Sequence, residues 1–193
     1  MLGTAGSQRY RAPAVAGVVA LVAALVLGYL TVRDTAGASD ASGGVPAVET
    51  RRVVSEDGGF AVDAPRDLRV ARAGAAVRLT SRERDLAIVV SPAGRGPLRA
   101  AEGRVLDRMR RSYRAFTRLG SEPADVDGRR ARTTYGHAVN DSGARLRFVV
   151  LTIRAGSRNY ALAAYTAFDS DPAVVLPRVN AVANGFETLA PRR

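Results

Sequence analysis

The stretch Arg145-Leu146-Arg147-Phe148-Val149-Val150-Leu151-Thr152-Ile153-Arg154 decides the fold. Leu146, Phe148 and Val150 alternate with neighbours that include Arg147, the two-residue period of a strand. Turn signals bound it on both sides. Asn140-Asp141-Ser142-Gly143 precedes it and Gly156-Ser157-Arg158 follows, residue types that adopt the backbone conformations of tight turns. Upstream, Asp125-Val126-Asp127-Gly128 reads as another tight turn, leading into the run Arg129 to Ala138. Downstream, Asn159 to Phe168 holds Tyr160, Leu162 and Ala164 at strand spacing. Successive runs of this kind, joined by short turns, predict an antiparallel meander.

Towards the N-terminus, Phe60-Ala61-Val62-Asp63-Ala64-Pro65 alternates and ends at a proline, Val77 and Leu79 alternate with Arg78 and Thr80, and Leu86 to Val90 is continuously apolar before Ser91-Pro92. The first two read as short strands, the third as a strand buried on both faces. Pro97 then opens a helix. Leu98, Ala101, Val105, Met109, Tyr113 and Phe116 recur at three and four residues and share one face; Gly120, Glu122 and Pro123 are expected to end it. A second helix is predicted from Asp169-Ser170-Asp171-Pro172 to about Asn184, with Val175, Val179, Val182 and Phe186 on one face and Gly185 as its stop. The fold class is therefore α+β: a mostly antiparallel sheet of about six strands flanked by two main helices.

The first fifty residues read differently. Ala12 to Val32 is an uncharged run of 21 residues; as a helix it would span about 31 Å, close to the hydrocarbon thickness of a bilayer. Arg9 and Arg11 precede it, which by the positive-inside bias places the tail in the cytoplasm and the bulk of the chain outside. The expected division is a short cytoplasmic tail (1–11), a transmembrane signal anchor (12–32), a flexible linker (33–50) and an extracytoplasmic α+β domain (51–193). The alternative is a signal peptide cleaved at Ala36-Gly37-Ala38, giving a secreted chain that begins at Ser39.

Composition excludes much chemistry. All 29 basic residues are arginine, against 18 acidic ones, for a net charge of +11; lysine, cysteine and tryptophan are absent, and His137 is the one histidine. Without lysine there is no phosphate loop of the Walker kind and no Schiff base; without cysteine there is no thiol nucleophile, disulfide or thiolate metal site. The expectation is a protein that is not an enzyme, with no cofactor and no metal.

The segment from Leu98 to Arg118 carries seven arginines on the arc opposite its apolar face. Arg104, Arg108, Arg111, Arg114 and Arg118 are the candidate binding residues for an anionic surface, because the planar guanidinium fork meets carboxylate or phosphate at two points. The competing account is a solvated helix face. His137 lies near Asp141 and Ser142 in sequence, which is adjacency and not a catalytic geometry. Gly94-Arg95-Gly96 lacks the third glycine of a dinucleotide fingerprint, and the twelfth position counted from Asp125 is Gly136, not the glutamate of a calcium loop. Tyr113, Phe116, Phe148, Tyr160, Phe168 and Phe186 either fill the core or line a pocket for an apolar ligand.

The order of parts resembles the Mog1/PsbP-like fold, including its bacterial envelope members of the DcrB and LpqN kinds. The resemblance rests on Gly59-Phe60-Ala61-Val62-Asp63-Ala64-Pro65, on Leu86 to Ser91 leading to the helix from Pro97, on Val126-Asp127-Gly128-Arg129-Arg130-Ala131, and on the ending Gly185-Phe186-Glu187. It covers about Gly59 to Thr188 and implies an α/β/α sandwich with binding, assembly or accessory roles, usually without catalysis. It carries over no site residue. LpqN-like proteins are typically lipoproteins, and this chain has no cysteine to lipidate.

The functional expectation is thus a membrane-anchored, non-catalytic cell-envelope accessory protein. Its partners would be the membrane, through the N-terminal helix, and an envelope protein or an anionic lipid or cell-wall polymer; nucleic acid is not expected. The rival readings are a carrier or scavenger of an apolar envelope ligand, and a secreted hydrolase.

Overall fold

The predicted meander forms. In the structure, a computed structural model that describes residues 48–189, β7 (Arg129–Val139), β8 (Arg145–Ala155) and β9 (Arg158–Ala167) pair antiparallel in succession. The preceding elements are β1 (Thr50–Ser55), β2 (Phe60–Pro65), β3 (Arg69–Ala73), β4 (Ala76–Thr80), β5 (Leu86–Arg95), α1 (Leu98–Arg111) and β6 (Ala115–Val126); α2 (Pro172–Asn184) and β10 (Glu187–Thr188) follow. Seven strands form one sheet in the order β3-β4-β5-β9-β8-β7-β6, and β1-β2-β10 form a second.

Alternation along β8 explains the layers. Phe148 and Val150 point to one core with Val105, Leu106 and Met109 of α1. Val149, Leu151 and Ile153 point to the other, with Phe60, Val62, Val175, Val179 and Phe186 from the small sheet, α2 and the turn after it. A strand covered on both faces must be apolar at nearly every position, and the buried stretch of β8, Phe148 to Ile153, is apolar except at Thr152. Each such side chain taken out of water contributes about 1.5–3 kcal/mol, so the meander is the part of the chain that both layers depend on.

The second helix forms as its ends predict. The Asp171 side chain accepts the Ala173 N–H at 2.8 Å, Pro172 opens the first turn, and the Gly185 N–H reaches Ala181 O at 3.0 Å. A Cβ at Gly185 would lie 2.4 Å from Asp63 Cβ, so the helix end seats against β2 only with glycine there.

Two expectations for the first half are corrected. The helix from Leu98 stops at Arg111, not near Gly120. Ser112 closes it, donating its N–H to Met109 O at 2.8 Å and its hydroxyl to Arg108 O at 3.1 Å. Phe116 has helical spacing, yet it reaches the same core from β6, where it stacks on Phe148 at 4.7 Å. Gly120, Glu122 and Pro123 lie inside β6, an edge strand, where a proline breaks no ladder on its free side. The apolar run from Leu86 is also longer than expected. It alternates fully buried Leu86, Ile88 and Val90 with half-buried Ala87 and Val89, then continues through a bulge after Pro92 to Arg95.

The membrane-anchored architecture is corrected as well. Among the described residues no helix is long and apolar enough to cross a membrane; α1 and α2 have 14 and 13 residues, against about 20 for a span. Ala12–Val32, its flanking tail and the tether through residue 47 lie outside the described residues. The signal anchor, the single-pass topology and the membrane as partner through that helix are withdrawn from the functional account.

Candidate functional site: an arginine-lined cleft at the turn end

The five arginines singled out in the sequence do not share one helix face. Arg104, Arg108 and Arg111 are on α1, Arg114 is in the link, and Arg118 is in β6 opposite Gly136. Arg104 has a structural task. Its Nη2 donates to Ala93 O and Arg95 O, each at 2.9 Å, and holds the irregular end of β5. Arg108, Arg111, Arg114 and Arg118 are exposed.

Among the described residues His137 gains no acid partner. It stands opposite Arg147 across the β7–β8 ladder, with its ring edge against Phe168 at 5.3 Å. Burial, then the charges of Arg147 and Arg145, hold its pKa below the ordinary 6.5. The hydroxyl of Ser142 donates to Asn140 Oδ1 at 2.7 Å inside its own turn, which stabilises the turn and does no acid–base work. The candidate aromatics separate into packing groups. Tyr160 and Phe186 lie 5.2 Å apart in one core with Phe60, and Phe116 stacks on Phe148 in the other. Among the described residues no group of three or more His, Asp or Glu side chains could hold a metal ion. The chain has no cysteine, and the charges of Arg147 and Arg145 bear on its one histidine.

What the sequence did not announce is a cleft of about 1170 Å³ at one end of the sandwich. Its rim is built from turns. Between β6 and β7, Asp127 (φ 52°) and Gly128 (φ 73°) both take the left-handed conformation, and the Gly128 N–H donates to Asp125 Oδ1 at 2.8 Å. That is the mirror-image turn whose twist suits a hairpin. Gly156 (φ 59°) closes β8 to β9, and Gly59 (φ 70°) ends the β1–β2 turn with its N–H on Ser55 O at 2.9 Å.

Each turn delivers charge. Arg129 and Arg130 follow Gly128, Arg154 and Arg158 flank Gly156, and Arg95 enters from the end of β5; five arginines line the cleft against two carboxylates, Glu56 and Asp57. Arg95 is positioned by the Gly94-Arg95-Gly96 segment, which is no phosphate loop. Its carbonyls are taken by Arg104 and by Asn159 Nδ2, which donates to Gly94 O at 3.3 Å and Gly96 O at 3.0 Å. Arg129 is partly engaged, donating to Phe186 O at 3.3 Å with its guanidinium 5.9 Å from the Phe186 ring centroid. The Tyr160 hydroxyl donates to Gly59 O at 3.3 Å, so the apolar floor is pinned to the rim. Guanidinium groups converging on a concave surface concentrate anions there and bind phosphate or carboxylate in forked pairs.

The two layers, the meander and the flanking helices define an α+β sandwich of the Mog1/PsbP-like fold. No family model matches the chain, and no curated protein matches its sequence. Solved structures match in shape. Cyanobacterial PsbP (CyanoP) from Synechocystis sp. PCC 6803 gives a TM-score of 0.55 at 15% identity, covering 79% of this chain and 98% of that one. LpqN of Mycobacterium tuberculosis, described as involved in cell envelope biogenesis, gives 0.49 at 14% identity, covering 74% and 92%. The relationship to the Mog1/PsbP-like fold family is thus one of fold, at low identity.

Proposed function

We propose that this domain is a non-catalytic accessory protein of the DcrB and LpqN kind, exported from the cytoplasm, that holds an anionic envelope polymer in the turn-end cleft. The observation that carries the reading is the excess of arginine in that cleft, five guanidinium groups against two carboxylates on turns fixed by glycine. A ligand with several phosphate or carboxylate groups along its length engages several forks at once, and each additional pair raises affinity without new apolar burial. The Ala36-Gly37-Ala38 pattern supports export.

Tripolyphosphate serves as a defined probe. Calorimetric titration is expected to give one saturable site whose affinity falls as salt rises. Arg154→Ala with Arg158→Ala is expected to weaken it tenfold or more. Absence of saturable binding at low salt, or binding unchanged in that double variant, contradicts the proposal.

A further inference from the structure

A second cleft, of about 460 Å³, opens where α1 ends short of the sheet edge and shares no lining residue with the first. Its floor follows from the register. Arg78 of β4 stands opposite Val89 of β5, Ala87 of β5 opposite Tyr165 of β9, and Tyr165 opposite Phe148 of β8, so a continuous strip of the α1-facing side runs out from beneath the helix. Ala87, Val89, Leu146 and Tyr165 stay half-buried there, because the helix has already turned away at Ser112. Tyr113 forms one wall, its ring 5.7 Å from that of Tyr165. Burial raises the pKa of both phenols, so both keep their protons at neutral pH.

The mouth is cationic. Arg78, Arg84 and Arg108 surround it, and none of them forms an ion pair with a carboxylate among the described residues. The acid in the lining, Asp85, is engaged, with its Oδ1 accepting the Ser81 hydroxyl at 2.5 Å. Arg84 takes a left-handed backbone (φ 62°) in the turn between β4 and β5, where its N–H donates to Ser81 O at 3.2 Å. The volume lies in the range of small-molecule sites. An apolar strip ending in unpaired guanidinium groups matches a ligand with an apolar body and one anionic head. A polyanion would leave the strip uncovered, and a neutral hydrocarbon would leave the cations unmatched.

We infer that this cleft binds a small anionic amphiphile, its carboxylate between Arg78, Arg84 and Arg108 and its apolar body along Val89, Leu146 and Tyr165. The site is independent of the turn-end cleft, so each stands or falls alone. The test uses the full chain and decanoate, below its micellar concentration, with decanol as the neutral control.

Calorimetry is expected to show one saturable decanoate site, at least tenfold tighter than decanol. Arg78→Ala with Arg108→Ala is expected to lose tenfold or more in decanoate affinity while keeping the thermal midpoint and tripolyphosphate binding of the parent. Val89→Asp, which places a charge on the floor, is expected to weaken decanoate binding through repulsion and lost apolar contact. No saturable decanoate binding, equal affinity for decanol, or full affinity in the arginine double variant overturns the inference.

Discussion

Glu102 of α1 and Arg132 of β7 form an ion pair at 2.6 Å, with side chains only 7% and 14% exposed. Ser121 donates to Glu102 Oε1 at 2.5 Å, Thr134 donates to the same oxygen, and Arg132 Nη2 donates to Ser121 at 2.7 Å. A charge network therefore fastens the helix that bounds the second cleft to β6 and β7. Removing one member strands the other in a poorly solvated site. Arg132→Met is expected to lower the unfolding free energy by about 3 kcal/mol, measured by urea denaturation, with Glu102→Gln in the same background restoring part of the loss.

The same network sets an acid limit. Burial pushes the Glu102 carboxyl up, but the hydrogen bonds from Ser121, Thr134 and Arg132, with the Arg132 charge, outweigh it and hold it below its ordinary 4.5. A carboxylate with a depressed folded-state pKa contributes stability that is complete above its unfolded pKa. That contribution is lost as pH falls through the folded value. Unfolding free energy measured from pH 7 to pH 3 is expected to fall more steeply in the parent than in Glu102→Gln; parallel curves would remove Glu102 from the acid response.

Gly136 sits opposite Phe148 on β7 and β8, and a Cβ there would lie 2.0 Å from Thr117 O and 2.7 Å from Phe148 Cζ. The Phe116–Phe148 stack needs that space. Gly136→Ala is expected to cost about 1–3 kcal/mol by overpacking, read as a lower denaturation midpoint with an unchanged slope.

Much of this architecture is legible in the sequence because its turns are chemically explicit. Asp127-Gly128 and Gly156 mark the ends of β7, β8 and β9, and Asp171-Pro172 marks the start of α2. The end of α1 is not legible, since Tyr113 and Phe116 continue its apolar spacing while belonging to a link and a strand. β1 and β3 escape notice because as edge strands they are rich in exposed arginine and read as solvated chain. The turn-end cleft joins residues from Val54 to Leu189. No local pattern announces that kind of convergence; only the topology brings Arg95, Arg129 and Arg158 together.

The exposed arginines near α1 give a control for that convergence. Arg111→Ala with Arg118→Ala removes the same charge as Arg154→Ala with Arg158→Ala, from residues that do not line the turn-end cleft. The first pair is expected to change tripolyphosphate affinity less than threefold and the second tenfold or more, compared by calorimetry at equal ionic strength. Arg104→Ala is expected to lower stability by about 1–2 kcal/mol through its two lost carbonyl contacts.

The most direct measurement is a titration of isotope-labelled protein with tripolyphosphate, followed through backbone amide shifts. Saturable shifts concentrated at Gly128, Arg129, Arg130, Gly156 and Arg158 are the predicted result. Shifts centred on Arg108 to Arg118, or none at all at low salt, would contradict a polyanion site at the turn end.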